Sequence, residues 1–197
     1  AIRGCSGSTE VQQGVMDMNE QPNSEACDDD KGEMAGVPKG KGKARWIEIR
    51  RIVENGKRRW EMQDEVNGTK PGLDFEKKSD QLYKSDWHDL TFRIKDSTND
   101  LRFHCLPTMA LWVARGTMQD APKCPKKPSQ DPEGEFVARS VSPDGKALTV
   151  YNGNNVECKL AFALNFVDKN DKDNPGAKIV DCFDPIITNR NSGIDRL

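Results

Sequence analysis

From residue 45 onward, hydrophobic and polar residues alternate along most of the chain, which is the pattern of half-buried strands. The longest run has an apolar residue at every second position: Val156, Cys158, Leu160, Phe162, Leu164 and Phe166. The positions between them carry Lys159 and Asn165 as well as alanines, so we expect that face to be partly solvated and partly covered. The run predicts one long strand whose large side chains form an inward row.

A β-hairpin is predicted around Asn55-Gly56, because this dipeptide supplies the positive φ angles of a two-residue turn. The segments 46–53 and 58–64 flank the turn and are the two strands. Ile52 breaks the alternation set by the preceding isoleucines, which indicates a bulge or a change of face in the first strand.

Further short strands follow, separated by turn sequences such as Ser142-Pro143-Asp144-Gly145. These predicted strands are residues 88–94, 101–105, 109–114, 136–141 and 146–152. Turn signals recur at intervals of about 8 to 12 residues and there is no convincing amphipathic helix, a combination typical of antiparallel sandwiches or barrels. The pattern predicts an all-β fold, an antiparallel β-sandwich of about seven or eight strands.

The chain divides into an N-terminal arm, residues 1–44, and a β-sandwich domain, residues 45–197. The arm has few large apolar side chains and is rich in glycine and charge, so it cannot offset its ordering cost alone and is expected to be extended or irregular. Met16, Met18 and Met34 are its candidate anchors on a protein partner. The alternative is an arm that folds back on its own sandwich.

Near the C-terminus, the apolar run at 181–189 is interrupted by Asp184-Pro185. Proline cannot donate to a sheet, so this strand is predicted at an edge or broken at a bulge. The ending Phe183-Asp184-Pro185-Ile186-Ile187, with Asn189 and Gly193 after it and the strand LAFALNF before it, resembles small bacterial β-sandwich proteins. The resemblance covers the last third of the chain; it implies the sandwich fold and no agreed activity.

Composition excludes several classes of partner. The 30 basic and 32 acidic residues of the 197-residue chain nearly cancel, which is unlike the basic footprint of a nucleic-acid-binding protein. No run approaches the roughly 18 to 20 apolar residues of a membrane-spanning helix. We therefore expect a soluble protein that binds no nucleic acid and does not span a membrane, although its partner can be a membrane-associated complex.

The six cysteines are an even number, which is compatible with disulfides in an oxidising compartment. The candidate pairs are Cys5–Cys27 and Cys158–Cys182, while the simpler interpretation of Cys158 is a small core residue. The chain begins at Ala1 without methionine, which favours an exported or lumenal protein whose targeting peptide has been removed.

Motifs for catalysis, metals and cofactors are weak. The oxygen-rich loop 168–176 fits no register of a calcium loop, and with two histidines in the chain a transition-metal site is improbable. His88 has the parity of an inward strand position and is expected in the core. There is neither a nucleophile elbow nor a phosphate-binding glycine loop. We expect no catalytic residue, no metal and no cofactor.

Three functions remain, and the first is preferred. It is a non-catalytic accessory or structural subunit that binds a larger protein assembly through its arm and the sandwich surface. The alternatives are a carbohydrate- or other ligand-binding module, and a hydrolase with carboxylates on loops. Trp60 and Trp112 have strand parities that predict core positions, whereas Trp87 is the tryptophan expected to be exposed and to contact a partner.

Overall fold

The computed structural model describes residues 40–66, 68–69, 72–78, 80–95 and 99–190. In these ranges there are twelve strands, a one-turn helix and a 3-10 turn. They are β1 (Gly42–Glu54), β2 (Lys57–Asp64), β3 (Gly68–Thr69), β4 (Gly72–Glu76), β5 (Trp87–Ile94), β6 (Leu101–Phe103), α1 (Pro107–Ala110), β7 (Leu111–Arg115), β8 (Phe136–Val141), β9 (Ala147–Asn152), β10 (Cys158–Asp168), the 3-10 turn (Lys169–Asp171), β11 (Asp181–Phe183) and β12 (Ile186–Arg190). The all-β prediction is confirmed, with more strands than the seven or eight expected.

The strands form two sheets. Sheet A has the order β3-β2-β1-β5-β9-β8. Sheet B is built around β10, which pairs with β6 and β7 on one side and with β11 and β12 on the other; β4 lies outside β12.

The expectation of a purely antiparallel sandwich is wrong for two strand pairs. β1 pairs with β5, and β4 with β12, in parallel. A hairpin makes its two strands antiparallel, but β5 reaches β1 only after the chain has passed through β4 in the other sheet. Such a crossover lets β5 run in the same direction as β1, and local turn signals do not record it.

The core lies between the inner faces of the two sheets. Leu160, Phe162, Leu164 and Phe166 are each 0% exposed, which confirms the predicted inward row of β10. The Phe162 ring centroid lies 5.7 Å from that of Phe92 and 5.2 Å from that of Phe136, so its ring touches two strands of sheet A. Trp60 of β2 stacks on Phe166 at 4.6 Å, as its inward parity predicted.

The other face of β10 is also buried, contrary to the expectation that it would be half solvated. Ala161, Ala163 and Asn165 are all at most 2% exposed. Segment 116–135 lies against this sheet: the Val113 N–H donates to the Ser129 carbonyl at 3.0 Å, and the Ser129 hydroxyl donates to the Val113 carbonyl at 2.8 Å. The alanine side chains leave room for covering segments, so β10 is buried on both faces except at Lys159 and Asp168, which are partly exposed.

The first hairpin has the predicted turn but not the predicted bulge. Asn55 and Gly56 have φ angles of 51° and 73°. β1 and β2 pair without a shift, and Ile52 lies on the outer face. Arg51 takes the inward position instead, because its guanidinium is neutralised by Asp100 at 2.6 Å and by Asp181 at 3.9 Å.

The run 181–189 forms β11 and β12, which pair with β10 in one continuous register and are interrupted at Asp184-Pro185. The Pro185 carbonyl still accepts a hydrogen bond from the Phe162 N–H at 3.2 Å. The predicted break is present, without a bulge in this register. The predicted edge position is wrong for β12, which lies between β10 and β4.

The sandwich belongs to the unit Val37–Leu197. β1 begins at Gly42, so its first three residues lie inside the predicted arm. Residues 1–39 lie outside the described residues, so the extended arm stays a prediction.

Phe162→Ala is expected to lower the free energy of unfolding by about 3 to 5 kcal/mol, because it removes a ring packed against two strands of sheet A and leaves a cavity. Urea unfolding followed by tryptophan fluorescence measures the change. Val53→Ala, at a position of β1 that is 56% exposed, is the control and should change stability by less than about 0.5 kcal/mol. A loss below about 1 kcal/mol for Phe162→Ala would contradict this account of the core.

Candidate functional site

The outer face of sheet A carries the exposed aromatic and charged side chains that make it the candidate site. β1, β5 and β9 alternate strictly, so residues between the inward positions point away from the core. Trp46 of β1 is opposite Thr91 of β5, and Asp89 of β5 is opposite Tyr151 of β9. Residues that are far apart in the chain therefore share one surface.

Five of these residues form what we call the aromatic platform: Trp46, Trp87, Arg93, Arg139 and Tyr151. The guanidinium carbon of Arg93 lies 3.7 Å from the Trp46 ring centroid, and that of Arg139 lies 4.7 Å from the Tyr151 ring centroid. Both distances are within the range of cation–π attraction. Arg139 sits at the β8 bulge, where a side chain is redirected by the extra residue.

Trp87, the first residue of β5, contacts Tyr151, which lies near the end of β9. Its ring centroid is 6.0 Å from that of Tyr151, with 49° between the ring planes. Its indole N–H donates to the Asp89 carboxylate at 3.1 Å, and Asp89 in turn lies 3.5 Å from Arg139. A Cβ at Gly42 would lie 2.0 Å from the other Asp89 oxygen, so this arrangement requires glycine there. The predicted Trp87 surface position is half-buried rather than open.

A groove of about 410 Å³ lies beside Trp46 and is lined by Glu48, Arg50, Gln63, Glu65 and Lys95. Glu48 accepts hydrogen bonds from Arg50 at 2.9 Å and from Lys95 at 3.1 Å. These two cations, Arg50 first, hold the Glu48 pKa below its ordinary value. The groove therefore presents charges of both signs next to an indole ring.

Of the other predicted site residues, the three methionines and the Cys5–Cys27 pair lie outside the described residues. The predicted Cys158–Cys182 bridge is wrong in this structure, where both are free thiols. Cys158 pairs with Asn189 and Cys182 with Asn165, so they are separated along β10 by about 20 Å. Cys158 is instead buried, and its sulfur accepts a hydrogen bond from Arg115 at 3.1 Å.

Four platform residues are not among the site residues predicted from the sequence: Trp46, Arg93, Arg139 and Tyr151. Trp46 and Tyr151 do carry a signal, because each alternates with inward residues and must point outward. No pattern in the sequence shows that the platform residues come together, because this depends on the parallel pairing of β1 with β5. Trp112, expected in the core, is half-buried and alternates with the inward Val113.

A second set of residues that resembles a catalytic group is the polar network of Lys43, Arg45, Asp64, Asp80 and His88. Asp80 accepts hydrogen bonds from Lys43 at 2.9 Å and from the His88 Nε2 at 2.7 Å. Arg45 forms two hydrogen bonds with Asp64 and lies 3.7 Å from Asp80.

The inner part of the polar network is buried, since Arg45 is 3% exposed and His88 is 0% exposed. The Phe75 ring packs between them, 4.9 Å from the imidazole and 4.6 Å from the guanidinium carbon. The core position predicted for His88 is confirmed. The Lys43 side chain is 40% exposed and that of Asp80 12%, so the network reaches solvent at this end, and its pairing compensates the buried charge of Arg45 and Asp64.

Burial lowers the pKa of His88, although its contact with Asp80 opposes the shift. Burial alone would raise the pKa of Asp80, but the hydrogen bonds from Lys43 and His88 lower it. In the described ranges no helix is long and apolar enough to cross a membrane, and no three metal-ligating side chains gather into a metal site.

Comparison with known proteins identifies no relative: no family model matches the chain, and no curated protein matches it significantly. Function must therefore be inferred from the surface chemistry.

The free energy of unfolding is expected to fall as the pH is lowered from 7 to 5. Unfolded histidine, with a pKa near 6.5, takes up a proton that folded His88 resists, so the unfolded state binds more protons in this window. Burial lowers the pKa of His104 as well, and each histidine contributes at most about 1.4 kcal/mol per pH unit.

Urea unfolding at pH 7, 6 and 5 measures this slope. His88→Gln should remove one part of the pH dependence, and the matched variant His104→Gln the other. Equal stability of the unsubstituted protein at pH 7 and pH 5 would contradict the neutral, buried His88.

Proposed function

We propose that the protein is a non-catalytic accessory or structural subunit that binds a protein partner through the aromatic platform and through its N-terminal arm. The observation that carries this proposal is the stacking of Arg93 on Trp46 and of Arg139 on Tyr151, on an open sheet face, with Trp87 against Tyr151.

The residue types support a protein partner. Tryptophan, tyrosine and arginine are the residues most enriched among those that dominate protein–protein binding energy. Each aromatic ring here is partly held by its contacts, so it loses little conformational freedom on binding. Trp46 is nevertheless 40% exposed, which leaves apolar area for a partner to bury.

The charges around the platform support specific recognition. Glu48, Asp89 and Arg139 already form ion pairs on this surface, and both signs alternate across it. A partner with complementary charges would exchange these exposed pairs for intermolecular ones, which gives specificity more than affinity. A membrane or a polyanion would need one dominant sign.

The arm adds a second contact. Gly42, the first residue of β1, is the pairing partner of Trp87, and the Lys41 N–H is bound by the Asp86 carboxylate at 2.8 Å. Lys41 and Gly42 therefore lie next to Asp86 and Trp87. An arm and a platform that bind one partner together gain affinity through their linkage.

Among the described carboxyl groups with a resolved pKa shift, none has the raised pKa that a carboxylic general acid requires. The carboxyl groups with shifted pKa values are Glu48, Asp80, Asp131 and Asp144, and all four are lowered. A general acid requires the opposite shift, whereas ion pairs and hydrogen bonds to a carboxylate produce a lowered pKa.

Trp46→Ala and Tyr151→Ala are expected to reduce retention of the partner at least about tenfold, because truncating a dominant interface residue costs about 2 kcal/mol or more. The full-length protein and the variants serve as bait in an extract of the source cells, and quantitative mass spectrometry compares what each retains. Met16→Ser/Met18→Ser/Met34→Ser in the full chain tests the arm in the same way.

Val180→Ala is the control, since Val180 is 52% exposed and is not a platform residue. It should retain the same proteins in the same amounts as the unsubstituted chain. Equal retention by the Trp46, Tyr151 and control variants would overturn the platform as a binding surface.

The second candidate function is a carbohydrate-binding module. It is favoured by the groove beside Trp46, where Glu48, Gln63 and Glu65 offer acceptors and an amide next to an exposed indole. Against it, the Arg93 guanidinium covers one face of that ring, which reduces the area on which a sugar could stack. A glycan-array signal that is lost in Trp46→Ala and kept in Val180→Ala would favour this function over the first.

A further inference from the structure

β2 leaves part of its outer edge without a neighbouring strand. Sheet A ends on this side with β3, which pairs with β2 only at Gln63 and Asp64. The first half of β2 therefore has β1 on one side and no strand of the described residues on the other. Lys57, Arg58 and Arg59 in this half are exposed. We call it the free edge of β2, since such an edge offers backbone N–H and C=O groups to another chain.

The register shows which backbone groups point to the free edge. Glu54 and Lys57 flank the two-residue turn and are Cα partners, so they form the hydrogen-bonded pair that closes the hairpin. Such pairs alternate along the strand, which leaves the N–H and C=O groups of Arg58 and Trp60 pointing away from β1. None of the backbone hydrogen bonds that the described residues form outside the strand ladders involves Arg58 or Trp60. These groups are therefore available to a further strand.

The free edge of β2 is basic. Arg59 forms ion pairs with Glu54 at 3.3 Å and with Glu61. Lys57 and Arg58 form no ion pair with a described residue, so their positive charges are not compensated on this edge. Opposite charges on adjoining strands attract, and like charges that face each other destabilise the pair. An acidic strand therefore fits beside Lys57 and Arg58 better than a basic one.

Apolar area lies on the inner side of the same edge. The Trp60 ring stacks on Phe166 at 4.6 Å and lies 5.9 Å from the Phe183 ring. Trp60 is nevertheless half-buried, and Val53, the Cα partner of Arg58, is 56% exposed. Since side chains alternate along a strand, Arg58 and Trp60 share one side, and alternate side chains of an added strand would contact them there.

We propose that the free edge of β2 binds an extended acidic segment of a partner protein as an added strand of sheet A. The backbone groups of Arg58 and Trp60 hold the segment, which is how strand addition provides affinity. Acidic side chains beside Lys57 and Arg58 provide specificity. None of these residues belongs to the aromatic platform, so the two surfaces are tested separately.

The charges also oppose the other simple occupant, a second copy of β2. Pairing two free edges would bring a second set of Lys57, Arg58 and Arg59 to the first. Cations on an exposed edge are a common means by which β-proteins avoid such self-association. An acidic segment instead neutralises these cations, so one set of side chains disfavours the copy and favours the partner.

The probe is the synthetic peptide Val-Thr-Glu-Glu-Thr-Val, blocked at both ends. Its sequence is the same in both directions, so it presents the same side chains to a parallel or an antiparallel neighbour. The peptide is titrated into the full-length protein, and amide proton–nitrogen NMR follows each backbone N–H. We expect the largest shifts at Arg58 and Trp60, and weaker binding in about 0.5 M salt. The counterpart Val-Thr-Lys-Lys-Thr-Val should shift neither amide.

Substitutions at Arg58 separate charge from backbone. Arg58→Gln removes the charge and keeps the N–H, so affinity for the acidic peptide should fall by up to about fivefold. Arg58→Pro also removes the outward N–H, at a position that donates nothing to β1, and should bind about tenfold more weakly than Arg58→Gln. Lys126→Gln, at an exposed position of segment 116–135, and Tyr151→Ala, in the aromatic platform, should bind the peptide like the unsubstituted chain.

Equal affinities of Arg58→Gln and Arg58→Pro would show that charge alone attracts the peptide and would overturn strand addition. Arg58 and Trp60 amides that do not move in excess peptide would overturn it too. Self-association of the protein that the peptide reverses would assign the edge to a second copy. The Tm of each variant without peptide detects a loss of folding. Should Arg58→Pro unfold, the Arg58→Gln spectrum decides, because that variant keeps the N–H and its Trp60 amide must still shift.

Discussion

The rest of the structure depends on the burial of β10 on both faces. Its large side chains, Phe162 among them, fill the space between the sheets, while its alanines face segment 116–135. A strand covered on both sides must pair its backbone completely, since an unpaired buried polar group costs about 1 to 3 kcal/mol. β10 therefore has neighbours along both edges, and where Pro185 removes one donor a cysteine thiol replaces it.

Buried polar and charged side chains are paired as well. Asp131 accepts two hydrogen bonds from Arg115, both at 2.7 Å, and others from the backbone N–H groups of Glu135 and Phe136, which closes segment 116–135 onto β7. Asn152 of sheet A and Asn189 of sheet B exchange amide hydrogen bonds of 3.1 and 2.9 Å across the core. Removing one partner from such a group would leave the other buried and unpaired, which costs more than the bond contributes.

Polar groups therefore occur in two settings, one buried in the core and one exposed on the outer face of sheet A. His88, of a residue type often found in active sites, is buried beside Phe75, where its imidazole forms a hydrogen bond with Asp80. The outer face of sheet A needs no such compensation, because water can solvate its charges. Trp46 is 40% exposed and stacked under Arg93, so it contributes little to the core, and the binding role proposed above is placed on this face.

Local chemistry alone was enough for the features of this chain that depend on near neighbours. Asn55-Gly56 specifies its own turn through φ, and the period-two pattern of Leu160 to Phe166 specifies an inward row, because side chains alternate in any strand. The partners of each strand are not local. Parallel pairing of β1 with β5 places Trp46 near Arg93, and the pairing of β10 with β11 places Cys182 far from Cys158. The pattern around Ile52 did not predict that the Arg51 side chain points inward. This orientation depends on the carboxylates of Asp100 and Asp181, which only the folded chain brings close to Arg51.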